Sequence, residues 1–117
     1  AAELSLPDLS AAFIDLASRA RAKQLRPEDV QDGIFTITNP GVFGSIFGMP
    51  IINQPQAAIL CVGAIEKRPV VVDDAIAARP HCYLTLGFDH RLLDGAIADR
   101  FMSIVKSGLE EFNASLL

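Results

Sequence analysis

The order of elements legible in this chain predicts an α/β (α+β) fold, a two-layer sandwich in which a mixed β-sheet carries helices on one face. Three observations predict it. Apolar residues recur with a helical period near both ends of the 117-residue sequence, and runs of strand-forming residues lie between them. The last of those runs passes directly into the final helical pattern across Asp89–Gly95. No internal repeat or low-complexity segment interrupts the order.

Ser5-Leu6-Pro7-Asp8 reads as a capping box with proline in the first turn, and Leu9, Phe13, Leu16 and Ala20 mark one apolar face of a helix running to about Lys23. Arg19, Arg21, Lys23 and Arg26 then gather near its end, where cations suit the helix macrodipole. Arg26-Pro27-Glu28-Asp29 starts a second short helix that Gly33 ends, and Ile34–Thr38 alternates as a strand. From Asn39 to Gln56 three glycines and three prolines sit among apolar residues. Such a loop is too hydrophobic to be a solvated linker and is expected to be buried against a partner. Ala57–Ile65 is a continuous apolar run, as in a strand covered on both faces. Arg68-Pro69 separates it from a short strand at Val70–Val72, with a turn at Asp73-Asp74. Cys82–Phe88 is expected to be the central strand. Ile97, Phe101, Ile104, Val105, Leu109 and Phe112 define the buried face of the last helix.

A chain this short is one domain at most. Half of its residues are hydrophobic but only 7% are aromatic, which makes a core of small aliphatic side chains. A mean hydropathy of +0.33 is high for a small domain with much of its surface exposed, so some apolar surface is expected to be covered by other protein. The net charge of −4 and the dispersed Lys and Arg leave no basic stripe for nucleic acid. Cys61 and Cys82 lie in apolar runs without Cys-x-x-Cys spacing and read as buried free thiols in a reducing compartment, in preference to a disulfide. No apolar run reaches the ~20 residues that span a bilayer, and no signal peptide is visible; a soluble intracellular protein is expected.

Phe88-Asp89-His90-Arg91-Leu92-Leu93-Asp94-Gly95 carries the chemistry. It sets an imidazole and a carboxylate four residues apart at a strand-to-helix junction, a place where a rigid scaffold holds functional groups. His90 reads either as a general base or as a histidine satisfying hydrogen bonds at a strand end. Asp94 stands just before a helix, where Asp is among the best N-caps, and this structural role is favoured. Gly41-x-x-Gly44-x-x-x-Gly48 does not fit a phosphate-binding loop, because no Gly-Lys-Ser/Thr follows. A metal at His90 and Asp94 would lack a third ligand, with His81 across the strand.

Asp-His-Arg-x-x-Asp-Gly at residues 89–95 resembles the active-site signature of the 2-oxo acid dehydrogenase acyltransferases, the E2 components of the pyruvate, 2-oxoglutarate and branched-chain complexes. A second block agrees: Gly33–Ser45, followed by Pro50–Leu60, is similar to the same family's upstream segment in order and distance. His-x-x-x-Asp-Gly alone also occurs in chloramphenicol acetyltransferase, but the Thr38 block and the Pro50-Ile51-Ile52-Asn53 run argue against that enzyme. The resemblance implies a partial CoA-dependent acyltransferase fold, with residues 1–117 as the C-terminal half of the catalytic domain. The lipoyl and subunit-binding domains lie outside it.

The implied reaction moves an acetyl, succinyl or branched acyl group between dihydrolipoamide, on a separate lipoyl domain, and CoA. These are substrates, and no metal is called for. A thiol ordinarily titrates near ~8.5 and an imidazole near ~6.5, so complete proton transfer before attack is uphill by about 2.7 kcal/mol, and the proton should move as attack occurs. His90 is the implied general base. The family's oxyanion donor is a Ser or Thr hydroxyl that matches Thr38; Thr36 shares its sheet face by period two, so parity does not separate them. In the family this hydroxyl and the histidine come from neighbouring subunits, which implies a homotrimer, assembled into a larger cage with E1 and E3 components as partners. Asn53 falls near the family's substrate channel, toward the pantetheine arm, and Gly95 is a small residue beside the active-site turn. Arg91 is available for ion pairs that position the loop. A rival reading is a structural or assembly fragment without activity. The implied location is a bacterial cytoplasm or a mitochondrial matrix.

Overall fold

The computed structural model describes Ala1 and residues 3–113. Its backbone falls into two compact units, one of residues 34–105 and one of residues 1–33 together with the stretch from Lys106.

The larger unit is organised around a three-stranded mixed sheet. Strand β1 (Thr36–Thr38) pairs in parallel with β2 (Ala58–Val62), in the register Thr36 with Ile59 and Thr38 with Cys61. Strands β3 (Glu66–Val72) and β4 (Ala75–His81) form a separate antiparallel hairpin. Strand β5 (Leu84–Phe88) returns to β2 antiparallel, Ala58 facing Phe88 and Val62 facing Leu84, which gives the order β1-β2-β5. The apolar run of β2 was legible because both its edges and both its faces are occupied: Ala58, Ile59, Leu60 and Cys61 are all buried. Full burial of an Ile or Leu side chain stabilises by about 1.5–3 kcal/mol, so these few residues carry much of the described core.

Several expectations need correction. The central strand is β2; Cys82–Phe88 contributes only Leu84–Phe88, at an edge of the described sheet. Both runs are apolar, and only pairing distinguishes the middle from the edge. Strand β1 begins at Thr36, two residues later than the pattern suggested. Arg68-Pro69 does not interrupt a strand, because β3 runs through it with Pro69 opposite Ala78. Proline is tolerated there since a two-stranded ribbon leaves alternate N–H groups unpaired. Strand β4 was not anticipated at all. Its Ala75-Ile76-Ala77-Ala78-Arg79-Pro80-His81 has little strand propensity, and it is extended because Asp73 and Asp74, both at positive φ (50° and 62°), close a two-residue turn that returns it along β3. Cys82 is half-buried, its Sγ donating to the Gly63 carbonyl at 3.1 Å, and both cysteines are free thiols.

The loop between β1 and β2 opens with a 3-10 turn at Pro40–Phe43 and is tied down over β2 and β5. Ala64 N–H donates to the Ser45 carbonyl at 2.8 Å, and the Thr85 hydroxyl donates to the Gly48 carbonyl at 2.6 Å. Its backbone comes so close that no side chain fits between: a Cβ on Gly63 would stand 1.9 Å from the Ile46 carbonyl oxygen, and one on Gly41 would stand 2.3 Å from the Gly63 carbonyl carbon. Along its outer side, however, Phe43, Met49 and Ile51 are each about nine-tenths exposed in the single chain.

Helix α1 (Leu6–Arg21) starts as expected. Ser5 is its N-cap, accepting from the Asp8 N–H at 3.3 Å while its hydroxyl donates to the Asp8 carboxylate. Arg19 and Arg21 lie in the last turn, and Arg19 pairs with Asp15 and with Asp29 of a 3-10 turn at Pro27–Val30. Phe13, Leu16, Ala17, Ala20 and Leu25 line a shallow apolar groove in this unit. Helix α2 (Gly95–Glu110) also forms where predicted, but its apolar stripe is not buried: only Ala98 is, while Ile97, Ile104 and Leu109 are more than half exposed. The Phe101 ring does meet Phe35, at a centroid distance of 5.9 Å. Exposed large apolar side chains on both helices and on the loop fit the expectation of surface left for other protein to cover. Among the described residues no helix is long and apolar enough to cross a membrane.

The glycine contacts give a direct test. Gly63→Ala should destabilise the fold by about 3 kcal/mol, the upper end for overpacking, because the obstruction is backbone and cannot rotate away. Urea denaturation followed by circular dichroism checks this, and a loss under about 1 kcal/mol would contradict the close approach.

Candidate active site

The ladder between β2 and β5 does not stop at Phe88. Asp89 N–H donates to the Ala57 carbonyl at 2.8 Å, so the backbone that enters the motif is still held by the sheet. The chain then turns. The Asp89 carbonyl accepts from the N–H groups of Leu92 and Leu93, both at 3.0 Å, and helix α2 begins three residues beyond Leu92. His90 sits at the first position of this turn, exposed, with its ring tilted against Phe88 at 5.4 Å. An exposed imidazole over an aromatic face is placed to meet a group that arrives from outside the chain.

The carboxylates on either side are committed elsewhere. Asp94 Oδ1 accepts from the Ile97 N–H at 2.9 Å, the N-cap bond, and its carbonyl accepts from Ala98 at 3.1 Å. Among the described residues no hydrogen bond joins Asp94 to His90, so the spacing that suggested a pair does not make one here. Asp89 Oδ1 accepts from the backbone N–H of Arg91 at 2.9 Å, and the Arg91 guanidinium grips the same carboxylate with Nε at 2.9 Å from Oδ1 and Nη2 at 2.6 Å from Oδ2. That guanidinium holds the Asp89 carboxyl down at about 2, and the carboxylate raises the Arg91 value in return. The expected ion pair of Arg91 is thus made, with Asp89 as the partner that the sequence reading does not name. Its signal was Asp-x-Arg directly after a strand, where Asp readily accepts from the N–H two residues on.

Tertiary contact separates the two threonines that parity could not. The Thr36 hydroxyl donates to the Gln56 side-chain oxygen at 2.6 Å, whereas among the described residues the Thr38 hydroxyl has no hydrogen-bond partner. Thr38 is half-buried at the end of β1. Gln56 also closes a turn onto the Asn53 carbonyl at 3.0 Å, which links exposed Asn53 to the same corner of the sheet. Gly95 has nothing within 4 Å of where a Cβ would stand, so no described residue requires its small size.

The register keeps Thr38 and His90 apart. Thr38 is level with Cys61 at one end of β2, while Phe88 is level with Ala58 at the other, with β2 itself between the strands that carry them. At about 3.3 Å per residue and about 4.8 Å per strand, the backbone positions of the two residues stand at diagonal corners, roughly 20 Å apart. One chain does not bring them together. No group of three or more potential metal ligands occurs among the described residues, and His81 lies in the other sheet, opposite Glu66.

Residues 1–117 match the family described as 2-oxoacid dehydrogenases acyltransferase (catalytic domain). The chain is 50% identical, over 99% of its length, to the dihydrolipoyllysine-residue acetyltransferase component of the pyruvate dehydrogenase complex of Mycobacterium bovis. It is 46% identical, over 95%, to the probable mitochondrial dihydrolipoyllysine-residue succinyltransferase component of the 2-oxoglutarate dehydrogenase complex of Schizosaccharomyces pombe. It spans only 22% and 25% of those two proteins. Among solved structures, a probable dihydrolipoamide acetyltransferase from Listeria monocytogenes superposes with a TM-score of 0.92 at 43% identity, covering 96% of this chain and 48% of that one. The dihydrolipoamide acetyltransferase of Azotobacter vinelandii, solved to probe a serine, a histidine and an asparagine in its catalytic mechanism, gives 0.90 at 36% identity, covering 98% and 47%.

The electrostatics of the turn set a pH test. The Asp89 value in the fold is depressed to about 2 from an ordinary 3.8, so its contribution to stability is complete above the ordinary value and is lost as pH falls toward 2. The stability difference between the parent and Asp89→Asn should therefore be constant near neutrality and close between about pH 4 and pH 2. Urea midpoints measured across that range check it; a gap that persists unchanged at pH 2 would show that the carboxylate charge is not its source.

Proposed function

This chain belongs to the 2-oxoacid dehydrogenase acyltransferase (catalytic domain) family, and on that premise we propose that it is the C-terminal half of an acyltransferase catalytic domain. Its reaction transfers an acyl group, acetyl or succinyl as in the relatives named above or a branched acyl group, between dihydrolipoamide and CoA. The observation that carries this reading is the match over every residue of the chain, with His90 presented on a hydrogen-bonded turn at the end of β5.

The chemistry follows from the residues. A thiol approaches the thioester carbon while His90 accepts its proton, the sulfur forms a new bond to that carbon, and the carbonyl electrons move onto oxygen. The oxyanion needs a donor preorganised before charge develops. Thr38 has a hydroxyl free among the described residues to give, but it is roughly 20 Å from His90 within one chain, so the donor and the base of one site come from two copies. Collapse of the intermediate expels the other sulfur as a thiolate, which takes the proton back from His90. Asp94 contributes by capping α2 and thereby fixing the end of the turn. Asn53 contacts the pantetheine arm, and Gly95 leaves room beside the turn. CoA and a lipoyl group on a separate domain are the substrates. The working form is a homotrimer within a larger cage that E1 and E3 components serve, in a bacterial cytoplasm or a mitochondrial matrix. The exposed apolar faces of α2 and of the β1–β2 loop are the surfaces such an assembly would cover.

A second reading has its own support. Because the chain spans about half of the solved catalytic cores it matches, it could contribute assembly contacts without a complete substrate site. Assay of acyl transfer from acetyl-CoA and succinyl-CoA to dihydrolipoamide distinguishes the two, with turnover in the assembled chain favouring the enzyme and none favouring the scaffold. In active protein, His90→Ala should lower turnover by about 10²–10⁴-fold and Thr38→Ala by about 10²–10³-fold. Co-expressed in equal amounts, the two variants should recover about a quarter of parental activity, since one in four random neighbour pairs joins an intact Thr38 to an intact His90. No recovery in mixed oligomers would place both groups in one subunit and refute the shared site.

A further inference from the structure

The reading of His90 as the base leaves open what holds it, and the answer is in its two sequence neighbours. Resting on that reading, we infer that Asp89 and Arg91 are a positioning pair that locks the backbone on either side of His90 and so fixes where the imidazole is presented.

Asp89 is anchored to the sheet by its own N–H, at 2.8 Å from the Ala57 carbonyl, and closes the turn by its own carbonyl. Its side chain then reaches over His90 to Arg91 twice, once to the backbone N–H and once to the guanidinium. Residues 89 and 91 are thereby tied to each other across the residue between them. Rotation of the His90 backbone would break the Asx bond at 2.9 Å and misalign the fork, leaving the imidazole only its side-chain torsions, limited by Phe88.

Two features argue that this lock serves position more than overall stability. The Arg91 side chain is 81% exposed and the pair lies two residues apart in one turn, so it joins no distant segments of the chain. The fork is also specific: Nε and Nη2 address the two carboxylate oxygens in parallel, a geometry lysine does not reproduce. Both oxygens of Asp89 being engaged by Arg91, and no hydrogen bond joining Asp89 to His90 among the described residues, the carboxylate does not act as the proton partner of the imidazole. It acts through geometry alone. A misplacement of about 1 Å at a reacting group costs about 10²-fold in rate.

The test uses the full chain in its native assembly, measuring kcat, KM for acyl-CoA and for dihydrolipoamide, the pH profile of kcat/KM and the thermal midpoint. Arg91→Lys keeps the charge and loses the fork; Asp89→Asn keeps the Asx acceptor and loses the charge; Asp89→Ala loses both. The expected result is a fall in kcat of about 10–100-fold, largest for Asp89→Ala, with KM within about twofold and the pH profile unmoved. Parental kcat in Arg91→Lys and Asp89→Asn would overturn the proposal. So would a displaced pH profile in Asp89→Asn, which would make Asp89 an electrostatic partner of the imidazole, or activity losses that simply track the thermal midpoint. His90→Ala separates the two levels. If it is inactive while the pair variants are normal, only the positioning role fails; if it is active, the reading of His90 as the base fails and this proposal with it.

Discussion

Strand β2 is hydrogen-bonded on both edges, parallel to β1 on one side and antiparallel to β5 on the other, and the placement of the residues that flank it on both sides depends on that double pairing. Among the described residues it is the one place where several consecutive side chains are buried. Its hydrogen bonds set the level of Thr38 through Cys61 and the level of the His90 turn through Ala57 and Ala58. The backbone contact of Gly63 with Ile46 holds the long loop against the strand's exit, so the loop is shaped by the same element. Because side-chain period in a strand is two, a slip of one residue in β2 would exchange the faces of Ala58, Ile59, Leu60 and Cys61 and shift the level at which Thr38 is paired.

The single chain is an incomplete object in a physical sense. Both helices show an apolar stripe that the described residues do not cover, and the loop between β1 and β2 turns Phe43, Met49 and Ile51 outward. Soluble proteins seldom leave this much large apolar surface in water. The chain spans about half of each of the two solved acetyltransferases it resembles.

At the turn, charge is used to build shape. The motif brings two carboxylates within four positions of an imidazole, yet one caps a helix and the other grips the adjacent arginine. Neither is bonded to the ring it was read beside. Among the described residues the His90 ring meets Phe88 but no hydrogen-bonding group.

The sequence by itself determined the two helices, since their 3.6-residue apolar period and the Ser5 and Asp94 caps are local properties that pairing does not alter. It also determined the Asp73-Asp74 turn and the motif around His90, which lie within a few residues of chain. It could not rank the apolar runs, because a buried edge strand and a buried central strand have the same composition. It gave no sign of β4, which owes its extension to β3 across the turn and not to its own residues. The hydrogen bond that distinguishes Thr36 from Thr38 reaches Gln56, twenty residues downstream, and the distance from Thr38 to His90 rests on the register of three strands. Those are long-range hydrogen bonds between segments far apart in the chain, and only the tertiary structure brings such segments within reach of each other.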